Sequence, residues 1–257
     1  MTQAQEESAP QLLWASVLDS VPSSPGVYWF LDSSNHVIYV GKAKDLHKRV
    51  MSYTRITRHN TKTLAMVIEA ASLKWSELSS ELEALLVEAE LIHAHQPQYN
   101  MLLKDDKSPL YIVITDELYP RVLTAHKRKV VSMQGIKRLF GPFPSSMQVR
   151  YVLHEARRIF QWCNQREKNN KACFYVHLQL CSGVCAGKIT QEEYTLIIQR
   201  LIAFLSGRTH ELVNEMKAEM QIASELQQYE RAATLRDQLE MITYVTQHKH
   251  PFPLDMK

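Results

Sequence analysis

Two short segments near the N-terminus carry tyrosines, glycines and basic residues in an order that suits phosphate chemistry. They read Gly26-Val27-Tyr28 and Tyr39-Val40-Gly41-Lys42. If they pair as adjacent antiparallel strands, Tyr28 and Tyr39 can lie on one face and point into one site. Gly41 would let the chain leave the strand close to a ligand, and Lys42 and Arg49 would place cations beside the tyrosines. Tyrosines in a hairpin also serve as cross-strand packing, so the residues alone leave both interpretations open.

Glu88 lies in the best predicted helix of the first half, residues 79–95. Its helical neighbours at spacings of three and four are all apolar: Ala84, Leu85, Leu91 and Ile92. The other acids of this segment, Glu81 among them, have polar neighbours, so we expect Glu88 to be the one acid directed toward the core. An unpaired buried carboxylate is costly. A buried ion pair and a magnesium ligand both explain it, because Mg²⁺ commonly binds one or two carboxylates plus waters and phosphate.

All four cysteines lie close together in the second half of the chain. They are Cys163, Cys173, Cys181 and Cys185. Thiolates this close suit a tetrahedral zinc or an iron–sulfur cluster, although a close Cys-x-x-Cys pair is missing. The first ten residues lack the basic start and apolar core of a secretion signal, so a metal or cluster is favoured over disulfides. Unligated buried thiols are the third interpretation.

Charge is distributed unevenly along the 257 residues, although the net charge is only +3. Residues 42–62 contain seven lysines and arginines against one acid, and residues 126–138 contain five against none. Residues 192–240 reverse the sign, with nine acids against five bases. This pattern indicates a protein that holds a polyanion at one end and another protein at the other, unless the clusters are only solvated helix faces.

Short helices and strands are predicted to position these residues. The first half should contain a helix over 11–20, strands over 26–31 and 37–41, helical segments over 44–53 and 61–71, and a strand over 72–78. Beyond Pro97 we predict strands over 111–115 and 121–125, a turn at Gly141-Pro142-Phe143-Pro144, and a helix to about Phe160. From Gln191 the pattern is helical almost to the end, and no segment is long and apolar enough to span a membrane.

The last helical stretch is predicted to form two arms, residues 211–226 and 230–245. One face of the first arm carries Leu212, Met216, Met220 and Ala223, and the second carries Ala232, Leu235, Leu239 and Ile242. Such stripes are typical of a seam between helices. The seam can be filled by the two arms packing on each other or by a helix of a partner.

Taken together, these residues resemble the GIY-YIG nucleases, and more closely the UvrC family of excision-repair proteins. The agreeing positions are Gly26-Val27-Tyr28, residues 39–46, Arg49, Glu88 and residues 96–100, and they extend to residues 102–108 and 141–144. Residues 229–237, Tyr-Glu-Arg-Ala-Ala-Thr-Leu-Arg-Asp, resemble the UVR motif.

The resemblance implies an α+β fold built from several units. An N-terminal helix (1–20) would precede a small GIY-YIG domain (21–103), whose short, mainly antiparallel sheet is flanked by helices. A connector (104–160) and a cysteine-rich region (161–190) would follow. A helical region (191–247) would contain the UVR hairpin at about 207–246, before a tail (248–257).

The resemblance also implies a metal-dependent DNA endonuclease of nucleotide excision repair that cuts on the 3′ side of a lesion. Glu88 would hold one Mg²⁺ or Mn²⁺, and one tyrosine would orient or deprotonate the attacking water, a base role that needs nearby positive charge. The implied catalytic set is Tyr28, Tyr39, Lys42, Arg49, Glu88 and Asn100. The candidates for DNA contact are Lys44, Lys48, Arg55, Arg58 and Lys62.

For the cysteines the resemblance favours a [4Fe-4S] cluster, with zinc as the alternative. Ser182-Gly183-Val184 stands where the family usually has Gly-Pro or a similar pair before the last cysteine. The implied partners are damaged duplex DNA, UvrB and, indirectly, UvrA, in the cytoplasm and without a membrane. The residues expected to contact UvrB are Tyr229, Glu230, Ala233, Leu235 and Arg236.

Two other functions stay open at this point. One is a non-catalytic DNA-binding module that competes for UvrB, and the other is a nuclease that acts on branched DNA without UvrB. The RNase H-like and helix-hairpin-helix domains of the family do not occur in these 257 residues. If the residues are a whole protein, we expect a single incision, and a piece of a longer protein is equally compatible.

Overall fold

The computed structural model describes residues 12–55, 59–102, 110–143, 146–165 and 171–247. The first half contains a 3-10 helix (Leu13–Ser20), β1 (Gly26–Leu31), β2 (Val37–Ala43), α1 (Leu46–Met51), α2 (Thr61–Glu69), β3 (Ser72–Glu77), α3 (Glu81–His95) and α4 (Gln98–Leu102). The second half contains β4 (Leu110–Thr115), β5 (Val122–His126), α5 (Lys127–Ser132), β6 (Ile136–Phe143), α6 (Ser146–Ile159), α7 (Phe174–His177), α8 (Gln191–Leu205), α9 (Thr209–Glu225) and α10 (Tyr229–Gln247). The α+β class is confirmed.

The first sheet is antiparallel, with strand order β2-β1-β3, and it confirms the predicted hairpin. Tyr28 pairs with Gly41, and Phe30 pairs with Tyr39, so Tyr28 and Tyr39 lie on the same face. The role expected of Gly41 was wrong, because β2 continues beyond it to Ala43. A Cβ on Gly41 would lie 2.4 Å from the hydroxyl oxygen of Tyr28, so the glycine makes room for that ring.

The second sheet is also antiparallel, with strand order β5-β4-β6. The turn predicted at residues 141–144 was wrong within the described residues, because Gly141, Pro142 and Phe143 form the end of β6. A proline is tolerated there because β6 is an edge strand, and the register shifts opposite Leu110 and Ile112. Gly141 has φ 116°, which a glycine adopts at little cost.

Helix α3 packs between the two halves. It starts after Ser80, whose hydroxyl accepts a hydrogen bond from the Glu83 amide at 3.1 Å, and it ends at Gln96 in the left-handed conformation. Ala84 and Ile92 pack against Val27 of β1 and Val40 of β2. The opposite side belongs to a larger core shared with the second sheet and α6; its buried residues are Leu82, Leu85, Leu86 and Ala89. The helix is therefore apolar on most sides.

The predicted helical hairpin is present as α9 and α10. The apolar face of α10 is not exposed. This helix contacts α6 and α3 and buries Leu235, Leu239, Ile242 and Val245 in the larger core. Glu219 of α9 forms ion pairs with Arg200 of α8 and, at 2.7 Å, with Arg231 of α10. The apolar stripe of α10 is thus covered by other helices of the same chain. In the described part of the chain, no helix combines the length and the apolar character needed to cross a membrane.

Candidate active site

Three tyrosines and one arginine meet on one face of the first sheet, where Tyr28 and Tyr53 are buried. Arg49 donates a hydrogen bond from Nε to the Tyr28 hydroxyl at 3.1 Å, and that hydroxyl lies 2.8 Å from the hydroxyl of Tyr53. The Arg49 guanidinium also lies 5.1 Å from the centre of the Tyr53 ring, and the Tyr39 ring is 6.2 Å from the Tyr28 ring. The arrangement holds one fixed cation against a set of phenol groups.

Asp45 sets the position of Arg49. Its side chain accepts a hydrogen bond from the Lys48 amide at 2.9 Å and caps the N-terminus of α1. Tyr53 follows in a 3-10 turn and was not among the predicted site residues. Its spacing of four residues from Arg49, one helical turn, is the signal that would have identified it.

Glu88 lies at the edge of this site. Its Oε1 accepts a hydrogen bond from the backbone amide of Lys42 at 3.0 Å, and the side chain is half-buried. Its charge is one of the contributions that raise the pKa of Tyr39, after burial and the effect of Tyr53. The hairpin and α3 therefore bring the predicted carboxylate and tyrosines to one place.

The expectation that Glu88 is the only inward acid of α3 was wrong. The Glu81 side chain is only 11% exposed, and its carboxylate binds Lys42 Nζ at 3.0 Å and Lys44 Nζ at 3.2 Å. Neighbours along the helix could not reveal this, because both cations come from β2 and the residue after it. The side chain of Lys42 thus binds Glu81 while its amide binds Glu88.

Both tyrosines of the hairpin resist ionisation. Burial is the main cause that raises the pKa of Tyr28, and the neighbouring tyrosines raise it further. Burial and Tyr53 raise the pKa of Tyr39 as well. Arg49 lowers both pKa values, but burial outweighs it. Near neutral pH the chain alone holds both groups as neutral phenols, which can donate hydrogen bonds.

Asn100 contacts the backbone of β2. Its Oδ1 accepts a hydrogen bond from the Val40 amide, and its Nδ2 donates one to the Val40 carbonyl, both at 2.8 Å. The residue is buried at the edge of the first sheet. Asn100 thereby fixes the strand that carries Tyr39 and the Lys42 amide.

The basic residues predicted to contact DNA surround α1 and α2. Lys44 binds Glu81, and Lys48 binds Asp45 at 2.8 Å while its side chain stays 82% exposed. Arg55 and Lys62 are exposed. Arg58 lies outside the described residues.

The four cysteines converge in the second half. The sulfur atoms of Cys163, Cys181 and Cys185 all lie within 4.8 Å of one another, and the Cys173 amide donates a hydrogen bond to the Cys185 sulfur at 3.4 Å. A hydrogen bond from the Cys181 thiol lowers the pKa of Cys163. Gly183, with φ 88°, turns the chain between the last two cysteines. Thiol donors in this arrangement suit zinc or an iron–sulfur cluster.

A divalent ion at Glu88 would have few protein ligands. Apart from the cysteines, no group of three His, Cys, Asp or Glu side chains suited to a metal occurs among residues that the structure describes. A single carboxylate completed by water and phosphate is a typical environment for Mg²⁺. The residues present therefore fit such an ion.

The residues predicted to contact a partner are not equally accessible. Tyr229 is 67% exposed at the tip of the hairpin, and Glu230 and Arg236 are exposed. Ala233 is half-buried, and Leu235 lies in the core with 3% exposure. Leu235 can therefore only support the helix from inside unless α10 detaches.

The chain matches three family models in sequence order. They are the UvrC-like GIY-YIG domain over residues 24–101, the UvrC/Cho excinuclease middle domain over 109–204, and the UvrB/uvrC motif over 211–243.

Relatives named UvrABC system protein C resemble most of the chain. That of Methanosarcina acetivorans is 38% identical over 233 residues, which cover 91% of this chain and 44% of the relative. That of Carboxydothermus hydrogenoformans is 41% identical over 232 residues, which cover 88% and 37%. The chain thus spans less than half the length of these relatives. The magnesium-bound GIY-YIG N-terminal endonuclease domain of UvrC from Thermotoga maritima is 35% identical, with 34% of this chain and 93% of that chain covered and a TM-score of 0.31.

Proposed function

We propose, from the premise that the chain belongs to the UvrC family, that it is a metal-dependent DNA endonuclease of nucleotide excision repair. It would hydrolyse one phosphodiester on the 3′ side of a lesion in a complex of UvrB and DNA. The observation that carries the proposal is that Tyr28, Tyr39 and Arg49 meet on one face of the hairpin, while Glu88 binds the Lys42 amide of the strand that carries Tyr39.

Glu88 would hold the divalent cation, Mg²⁺ or Mn²⁺. When bound there, the ion supplies Lewis-acid stabilisation of charge on the phosphate and the leaving oxygen. The Lys42 amide orients the Glu88 carboxylate through its hydrogen bond to Oε1. Asn100 holds the same strand in place, so both residues act by positioning.

Arg49 would offset the charge that develops on the phosphate. Its guanidinium is fixed by Tyr28 and the Tyr53 ring, so little reorganisation is needed when charge appears. Tyr28 and Tyr39, as neutral phenols, would donate hydrogen bonds that orient the attacking water or the phosphate. For either to accept a proton, added positive charge must first lower its pKa.

Nicking of a labelled duplex with one bulky adduct tests the proposal, in the presence of UvrA, UvrB, ATP and Mg²⁺. We expect one nick on the 3′ side, and we expect Glu88→Gln to reduce its rate at least about a hundredfold. Glu90→Gln is the matched control, because Glu90 is exposed on the same helix. Wild-type protein that binds UvrB but does not nick would favour the non-catalytic docking module. Nicking that does not require UvrB would favour the structure-selective nuclease.

The four cysteines would hold a [4Fe-4S] cluster, with zinc as the alternative. The supporting observation is that the buried sulfur atoms of Cys163, Cys181 and Cys185 converge and that the half-buried Cys173 contacts Cys185. Metal and acid-labile sulfide analysis of protein purified without oxygen separates the two. Iron with equal sulfide supports the cluster, whereas one zinc per chain without sulfide supports the alternative.

The hairpin would bind UvrB through its exposed side. Tyr229, Glu230 and Arg236 are accessible, and the acidic character of this region is compatible with a protein partner. A pull-down with UvrB should lose signal with Tyr229→Ala combined with Arg236→Ala. Glu211→Gln, near the start of α9, is the control. Unchanged capture by the double variant would contradict this surface.

A further inference from the structure

A cavity of about 630 Å³ lies in the second half of the chain, between β5, α6 and the cysteine region, and no residue of the candidate active site lines it. Its wall contains four permanent cations: Lys129, Arg150, Arg157 and Arg158. In the part of the chain that the structure describes, no aspartate or glutamate lines the cavity. A concave surface with one sign of charge concentrates ligands of the opposite sign.

The four cations differ in what they already bind. Arg157 is structural, because it donates to the carbonyls of Leu180 at 3.0 Å and Trp162 at 3.1 Å. Arg158 lies 3.4 Å from the carboxylate of Glu155. Lys129 and Arg150 are exposed, and within the described residues neither side chain forms an ion pair or hydrogen bond. Two cations are thus available to an anionic ligand.

Aromatic rings stand beside these cations. Tyr175 lines the cavity, and the Arg157 guanidinium lies 4.2 Å from its ring centre. Phe174 is 70% exposed, and its ring centre is 6.1 Å from that of Tyr175. Exposed aromatic rings next to a basic groove are the combination that binds single-stranded nucleic acid, with stacked bases and paired phosphates.

We propose that this cavity binds unpaired nucleotides of a DNA strand. Lys129 and Arg150 contact the phosphates, and Phe174 and Tyr175 stack on the bases. The choice of DNA rests on the proposed function, but the binding itself needs neither Glu88 nor a metal ion there. An acidic peptide would use the cations and leave the exposed Phe174 ring unexplained.

Fluorescence anisotropy with a labelled oligothymidine of about 12 nucleotides tests the site. The full chain, with its cysteine site as purified, is titrated without added divalent cations. We expect Lys129→Gln combined with Arg150→Gln to weaken binding at least about tenfold. Because each phosphate contact on a single strand contributes about 0.7, the slope of log affinity against log salt should fall by about 1.4.

The control variant combines Lys137→Gln with Arg138→Gln. It removes the same charge from exposed residues of β6 that do not line the cavity, and we expect it to weaken binding much less. Phe174→Ala should weaken binding about tenfold without changing the salt slope.

Three results would overturn the proposal: equal weakening by both double variants, an unchanged affinity in Phe174→Ala, or displacement of the oligonucleotide by an equal concentration of blunt duplex, tripolyphosphate or acidic peptide. Since no incision takes place in this assay, its outcome is independent of whether the chain nicks DNA.

Discussion

The hydroxyl oxygens of Tyr28 and Tyr53 lie 2.8 Å apart, and Arg49 contacts both residues. The contact joins β1 to the 3-10 turn after α1, which are 25 residues apart in sequence. Either hydroxyl can donate this hydrogen bond, so the Tyr28 proton points to Tyr53 in one arrangement and away from it in the other. The position of this proton bears on whether Tyr28 can donate to a substrate.

Tyr53→Phe is expected to slow nicking about tenfold, the effect of one lost hydrogen bond to a buried group. The ring stays under Arg49, but the buried Tyr28 hydroxyl loses one partner, so the free energy of unfolding should also fall by about 1 kcal/mol. Tyr99→Phe is the control, because it removes a hydroxyl whose partner is Glu69 instead. Single-turnover rates of the two variants give the comparison, and equal rates would contradict a role for Tyr53.

Arg49→Lys is expected to slow nicking about a hundredfold, although it keeps the charge. A lysine cannot donate to Tyr28 and stack on the Tyr53 ring at the same time, since it lacks a planar guanidinium. DNA affinity, measured by anisotropy, should fall far less than the rate. If affinity and rate fall together, Arg49 serves general DNA binding.

Asn100→Ala is expected to lower the free energy of unfolding by about 1–3 kcal/mol, because the Val40 amide and carbonyl lose their partners. Asn100→Asp keeps the acceptor for the amide but buries a carboxylate oxygen against the Val40 carbonyl, so near neutral pH it should be at least as destabilising as Asn100→Ala. Urea denaturation measures both. Wild-type stability in Asn100→Ala would mean that water replaces the side chain fully.

The Asp45 cap should give a pH-dependent contribution to stability. Hydrogen bonds from Lys48 lower the pKa of Asp45 below its usual 3.8 in the folded chain. A carboxylate with a depressed pKa stabilises the fold above the unfolded value, and this contribution is lost as pH falls through the folded value. Asp45→Asn should therefore be less stable than wild type near pH 7, with the difference vanishing as pH falls below the lowered pKa of the folded chain. A constant difference across urea titrations at these pH values would contradict the assignment.

The hairpin, its tyrosines and Glu88 could be predicted because their signals are local. Strand alternation places Tyr28 and Tyr39 on one face, and the helical neighbours of Glu88 single it out. The burial of Glu81 could not be found in the same way, since its cations come from another element. An apolar stripe such as that of α10 also does not reveal which surface covers it. The end of β6 was missed because Gly141-Pro142 is more often found in turns.

Helix α3 carries Glu88 and is packed from both sides, by Val27 and Val40 on one and by the larger core on the other. The border between the two halves therefore passes through a helix, not through a linker. If the first half were fused to a different second half, that new half would need a surface complementary to Leu82, Leu85, Leu86 and Ala89. Packing on both sides therefore restrains which substitutions α3 can accept.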